Sequence, residues 1–221
     1  MKPNQLPKSV KPTRRYESAK RAATAAQHRE AILEAARQEF EQRGWAGARF
    51  REIATAAGVS HKLIELHFRN KAQLLEATVD FVIRGDDSTV PMPQRHAVKQ
   101  MEDAPDAATL LRLHARHLRR IHGRSAAIAF VVEHAAAADP SVGALWAQMN
   151  HNRDYAVTWA TETLLAKPGR RPRLRRAKIE ATFWVAIDWN TYRTLTTYGH
   201  LADDAYEAWL RGYYADAVLP A

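Results

Sequence analysis

The side chains with the clearest chemical potential are His61, Lys62, Leu63, Glu65 and His67, which share the outer surface of the short run HKLIELHF. Its Ile64 and Phe68 fall at i and i+4 and turn inward. An imidazole, an ammonium and a carboxylate beside an apolar side chain suit the donors, acceptors and methyl groups on base edges in a DNA groove. Just ahead, Ser60 stands where an N-cap belongs, its hydroxyl able to accept from an orphan amide of the next turn. Gly58 supplies the left-handed corner that a Cβ would penalise. Val59 plugs that corner, and Ile53, Ala54 and Ala57 are small enough on their shared face to let a second helix cross closely. From Ile53 to Phe68 the pattern is a helix-turn-helix.

Bond-making chemistry finds little support. No cysteine is present, which removes disulfides, thiolate metal sites and cysteine nucleophiles and fits a reducing cytoplasm. Gly-x-Ser-x-Gly, a phosphate loop and a two-histidine metal helix with a general base are all missing. His114 and His117, at i and i+3, could start a metal site, but zinc needs three or four converging ligands and no third one shares their face. They read better as a solvated or partly buried pair, and no cofactor is expected.

Charge points the same way as the short helix. The formal net charge is +9, with 14 basic and 7 acidic residues up to Asn70 against 19 and 17 beyond it, so the positive field lies on the N-terminal third. A polyanion-binding end would look like this, since phosphate neutralisation supplies most non-specific DNA affinity; a merely soluble basic surface would too. Residues 1–26 carry three prolines and seven Lys or Arg against one Glu, and read as a flexible arm. Its Arg14, Arg15, Lys20 and Arg21 are candidates for minor-groove contacts, or the arm only solubilises. No apolar run approaches the roughly 20 residues of a membrane span, and the polar, proline-bearing N-terminus is unlike a signal sequence, so a cytoplasmic protein without membrane attachment is expected.

The elements that must position these residues are all helical. Ile32, Leu33, Ala36 and Phe40 repeat at helical spacing over about residues 27–43, stopped by Gly44. A fourth helix over about 71–83 turns Leu74, Leu75, Thr78, Val79 and Val82 toward a core. Gly85 to Pro105 reads as a loop with room for a short helix. Helices are then expected over 107–122, 124–138, 140–166, 174–198 and 204–218, with KPGRRPRLRR as a solvated basic turn. The run AAIAFVVEHAAAA implies burial on most sides, with Glu133 and His134 as polar exceptions. The helix over 174–198 is apolar on more than one face and that over 204–218 carries one aromatic stripe, which calls for a second copy as partner.

With its flanks, the helix-turn-helix resembles the TetR family of transcriptional regulators. Arg29, Glu30, Ala31, Ile32, Leu33, Ala35, Ala36, Phe40, Arg43, Gly44 and Trp45 look like that family's first helix and its glycine stop. Arg51, Glu52, Ile53, Ala54, Ala57, Gly58, Val59 and Ser60 follow its second helix, and RNKAQLLEATVDF its link into helix four. The likeness covers roughly residues 27–84. Ala48 and Arg49 replace the usual hydroxyl pair opening helix two, and Lys62 and Glu65 replace a small residue and a tyrosine in the recognition helix. Glu65 either accepts from a cytosine amino group or pairs with Lys62 or Arg69 on its own helix.

The resemblance implies an all-α protein: a three-helix DNA-binding domain over 27–84 behind the arm, joined to a larger helical bundle over 85–221 that binds ligand and dimerises through its last two helices. It implies a homodimeric repressor on a double-stranded DNA operator, with Arg49, Arg51 and Lys71 on phosphate, Ser60 opening the recognition helix, and His61, Lys62, Leu63 and His67 on base edges. A small hydrophobic effector would enter the bundle among Phe130, Glu133, Trp146, Met149, Tyr155, Trp159, Trp184 and Asp188. The alternatives are an activator or a regulator answering to a protein partner, and an enzyme with an incidental helix-turn-helix.

Overall fold

A computed structural model describes residues 14–88 and 90–220, with side chains from residue 23 onward. Among the described residues the architecture is all-α, and no helix is long and apolar enough to cross a membrane. α1 (Arg14–Gly47) runs through Gln27, so residues 14–26, expected in the flexible arm, form its opening turns; the alanine-rich AKRAATAA has the propensity to extend a helix. The side chains of Arg14, Arg15, Lys20 and Arg21 lie outside the described residues. Gly44 departs from helical geometry with φ 66° and ψ −176°, and a last short turn to Gly47 leads into α2 (Phe50–Ala56).

Each corner of the small domain has a local cause. Gly58 sits at φ 66° between α2 and α3 (His61–His67), and the Ser60 hydroxyl accepts from Leu63 N at 3.2 Å. Asn70 caps α4 (Lys71–Arg84) by accepting from Gln73 N at 2.9 Å. Ile32, Leu33, Phe40, Ile53, Ile64, Leu74 and Leu75 are fully buried, so the short α2 and α3 are held with α1 and α4 by one apolar knot. At about 25 cal/mol per Å² of apolar area removed from water, that burial outweighs the marginal propensity of seven-residue helices.

The larger bundle is built on α6 (Ala107–Ala136), 30 residues long and capped by Asp106. Two helices were expected over this stretch, breaking near Gly123, but one continuous helix runs through. A glycine inside a helix costs about 1 kcal/mol, and anchoring on both sides overrides it: His122 meets Tyr206, and Ser125 accepts from the Trp189 indole at 3.0 Å. α5 (His96–Glu102) packs on α6 within the expected loop. α7 (Pro140–Leu165) returns after the Asp139 cap. The expected helix over 174–198 is instead α8 (Arg176–Ile187), α9 (Trp189–Arg193) and a π-turn over Thr194–Tyr198. Asp188 makes the break, leaving helical geometry at ψ 122° while its carboxylate accepts from Thr191 N at 2.9 Å. α10 (Asp203–Val218) closes the bundle against α6 and α8.

A candidate nucleic-acid interface and a central cavity

α3 presents a surface that the rest of its domain leaves open. Lys62 and Leu66 each lie two residues from the buried Ile64, about 200° round the helix, and so point straight out. Lys62 is exposed and Leu66 is 79% exposed. Leu66 is legible in the sequence only as an apolar residue on the face opposite Ile64. An exposed leucine between polar neighbours suits the C5-methyl of thymine. His61 is exposed, whereas Leu63 and His67 are half-buried on the flanks. Glu65 pairs with His61, Nδ1 to Oε1 3.6 Å, rather than with Lys62 or Arg69, because His61 lies one turn below it and Lys62 points elsewhere. Arg49 and Arg51 are exposed beside α3 and make no ion pair among the described residues.

Lys71, expected on phosphate, also serves the fold. Its Nζ donates to the Trp45 carbonyl at 2.6 Å and to that of Ala48 at 3.4 Å, and it lies 4.4 Å from the Trp45 ring centre. Burial lowers its pKa. Two of its three donors are thus spent bracing the α1–α2 corner. The Trp45 indole in turn donates to Asp139 Oδ2 at 3.0 Å, tying that corner to the cap of α7.

A second connection between the first helices and the rest of the chain runs through α4. Its buried Leu74, Leu75 and Thr78 serve the core, while Val79 and Ile83 line a partly open cavity of about 390 Å³ shared with α5, α6, α7, Ile187 and Trp189. Arg124 on α6 donates to the last carbonyls of α4, Val82 at 2.9 Å and Ile83 at 3.0 Å. Gly85 ends α4 at φ 83°, and a Cβ there would lie 2.8 Å from Arg124 Cζ. Gly85→Ala is therefore expected to cost about 1–2 kcal/mol from the left-handed backbone alone, with Arg124 pushed off its carbonyls, read as a lower thermal midpoint.

Of the side chains expected around a ligand, Met149, Tyr155 and Trp159 line the cavity. Phe130 lies under Arg193, whose Cζ is 3.5 Å from the ring centre, and Glu133 accepts from Asn190 at 3.2 Å. Trp146 packs against Trp189 behind the wall, and Trp184 is 37% exposed on the outer face of α8. Asp188 approaches only through Arg153, which it holds at 3.0 Å and which does line the cavity. The unbroken α6 fixes where Phe130 and Glu133 point, and the break at Asp188 does the same for Trp184 and Asp188.

The cavity has a polar wall that the sequence pattern did not reveal. His114, His117 and His122 all face it from α6. His114 Nδ1 lies 2.7 Å from the Tyr214 hydroxyl, and His122 Nδ1 lies 2.9 Å from that of Tyr206, two rungs between antiparallel α6 and α10. Burial depresses the pKa of His114 to about 3 and those of His117 and His122 to about 4, so all three are neutral at pH 7. Burial also raises the pKa values of the two tyrosines. The i, i+3, i+8 spacing of the histidines signals one stripe only when α6 is continuous.

Residues 32–78 match the family described as bacterial regulatory proteins, tetR family. No curated protein matches the chain. Among solved structures, the fold is similar to NalD, the secondary repressor of the MexAB-OprM multidrug efflux pump in Pseudomonas aeruginosa. The TM-score is 0.65 at 16% identity, covering 89% of this chain and 98% of that one. It is similar to a transcriptional regulator from Saccharomonospora viridis in complex with choline, TM-score 0.63 at 16% identity over 87% and 98% of the two chains. A TetR family transcription regulator from Marinobacter aquaeolei VT8 gives 0.58 at 22% identity over 92% and 100%.

Proposed function

We propose, from the premise that residues 32–78 are a TetR-type DNA-binding head on a TetR-like helical chain, that this DNA-binding transcription regulator is a homodimeric repressor released from its operator by a small apolar effector. One observation carries the reading: α4 is at once the last helix of the head's core and a wall of the cavity. A ligand between α4 and α7 favours one setting of α4, and the head moves with it because α4 packs on α1 and its Leu74 and Leu75 belong to the head's buried core. The required difference in ligand affinity between two such settings is only about 1–3 kcal/mol. Choline in the Saccharomonospora protein and the repressor role of NalD support a small-molecule switch.

Dimerisation is supported by the outer faces of the last helices. Ala181, Trp184 and Val185 on α8 and Ala205, Ala208, Gly212 and Ala215 on α10 are exposed, an apolar surface of small residues around one indole. Pairing there would set two recognition helices about 34–36 Å apart, or a multiple, for successive major grooves. The test is fluorescence anisotropy of the full chain on DNA beside its own gene, with sedimentation of the same sample. A dimer is expected that prefers this DNA over random sequence, with affinity falling as salt rises. A monomer, or equal affinity for random DNA, would overturn the reading.

A further inference from the structure

We infer that the cavity is built for an apolar monocarboxylic acid, its carboxylate seated against His114 and His117 of α6 and its hydrocarbon lying among Met101, Leu118, Met149 and Trp159. This deepens the effector reading and rests on it.

The donor set comes from the hydrogen-bond network. The Tyr214 hydroxyl has no partner but His114 Nδ1 among the described residues, so its proton goes to that nitrogen and the ring carries its own proton on Nε2. His114 thereby offers the cavity an N–H. His122 is spent, bonded to both Tyr206 and the Ile187 backbone. His117 lines the cavity with no hydrogen bond among the described residues. Two imidazoles one helical turn apart thus lack acceptors among the described residues, and their free ring nitrogens stay accessible in the cavity, where a ligand oxygen would accept from them.

Charge selects the kind of oxygen. On α6, Arg120 and Arg124 both act on His117, and His122 beside it is neutral. From α7, Arg153 faces the cavity with its charge matched by Asp188. From α10 and α8, His114 meets only Tyr214 and Phe183. The lining carboxylates, Glu76 and Asp80, are exposed residues of α4, and Asp80 is held by Arg84 at 2.8 Å. Asp86 beyond α4 is held by Arg95. His114 and His117 therefore sit in a positive field with no carboxylate acting on either, Asp188 reaching only His122, which favours an anion and repels an ammonium. Flexible Met101 and Met149 let the rest of the cavity take chains of different shape. A carboxylate there raises the pKa of the imidazole it touches, so binding takes up protons.

Isothermal titration of the full-length protein at pH 6.5 with octanoate, 1-octanol and octylammonium tests this, each in phosphate and in Tris to count protons. Octanoate is expected to bind about tenfold or more tighter than octanol, as a charge-assisted hydrogen bond does over a neutral one, with net proton uptake, and octylammonium weakest. His117→Leu, at a half-buried site, and His114→Asn should each shrink the octanoate preference while octanol binding persists and reports an intact cavity. Equal binding of octanol, tighter binding of octylammonium, or a preference that survives both substitutions would overturn the carboxylate assignment alone. If none of the three binds, both the assignment and the effector reading fall. Octanoate binding of the expected kind without release of DNA would leave the assignment standing and overturn the effector reading.

Discussion

Lys62→Glu is expected to lower affinity for the specific DNA by about 10²–10⁴-fold at physiological salt while leaving thermal stability within about 0.5 kcal/mol of the parent. The asymmetry follows from position. Lys62 is exposed, lies opposite the buried Ile64 and makes no ion pair among the described residues, so the fold does not depend on it. In a dimer each substitution is presented to DNA twice. A lost side-chain contact to a base is worth about 1–3 kcal/mol, so two give about 2–6 kcal/mol, and an added carboxylate against phosphate deepens the loss. The salt dependence of binding should also flatten, because fewer counterions are released. Anisotropy titrations across a salt series measure both quantities. An unchanged affinity would mean that α3 does not enter the groove with this face.

The helix-turn-helix could be read from the chain because its determinants are local. Gly58 needs a left-handed backbone whatever surrounds it, Ser60 caps the helix it begins, and the inward spacing of Ile64 and Phe68 is the helical period itself. What escaped was set across long sequence separations. The second role of Lys71 is one case, since Trp45 and Ala48 from the preceding corner take two of its three donors. Gly123 looks like a helix stop and is overridden by tertiary anchors at Tyr206 and Trp189. The cavity suffered most, since its wall of histidines forms a single stripe only on an unbroken α6. Phe130 and Trp184 look like pocket aromatics in the sequence, but one packs under Arg193 and the other lies on the surface expected to meet a second copy.

Asp188→Ala is expected to destabilise the chain by about 2–3 kcal/mol, less than the roughly 3–5 kcal/mol typical of a buried ion pair because the Asp188 side chain is 28% exposed. At this length that is a fall in thermal midpoint of about 4–12 °C. Asp188 accepts from Arg153 Nη2 at 3.0 Å, and the Arg153 side chain is only 13% exposed, its guanidinium 5.5 Å from the Trp184 ring centre and 5.1 Å from that of Trp189. Without the carboxylate, Asn150 is the remaining hydrogen-bonding side chain, a neutral group that cannot offset a full charge. Asp188 also caps α9 through Thr191 N, a contact worth about 0.5–2 kcal/mol, though the two losses share one carboxylate and will not add fully. Asp188→Asn separates them, since an amide can keep the cap but not the charge, and should retain part of the stability. Replacing both partners, Asp188→Asn with Arg153→Met, should recover more still, because no buried charge is left uncompensated. Thermal and denaturant unfolding of the three variants measures this order. A loss below about 1 kcal/mol for Asp188→Ala would place the pair among surface ion pairs, and the break between α8 and α9 would then need a cause other than this carboxylate.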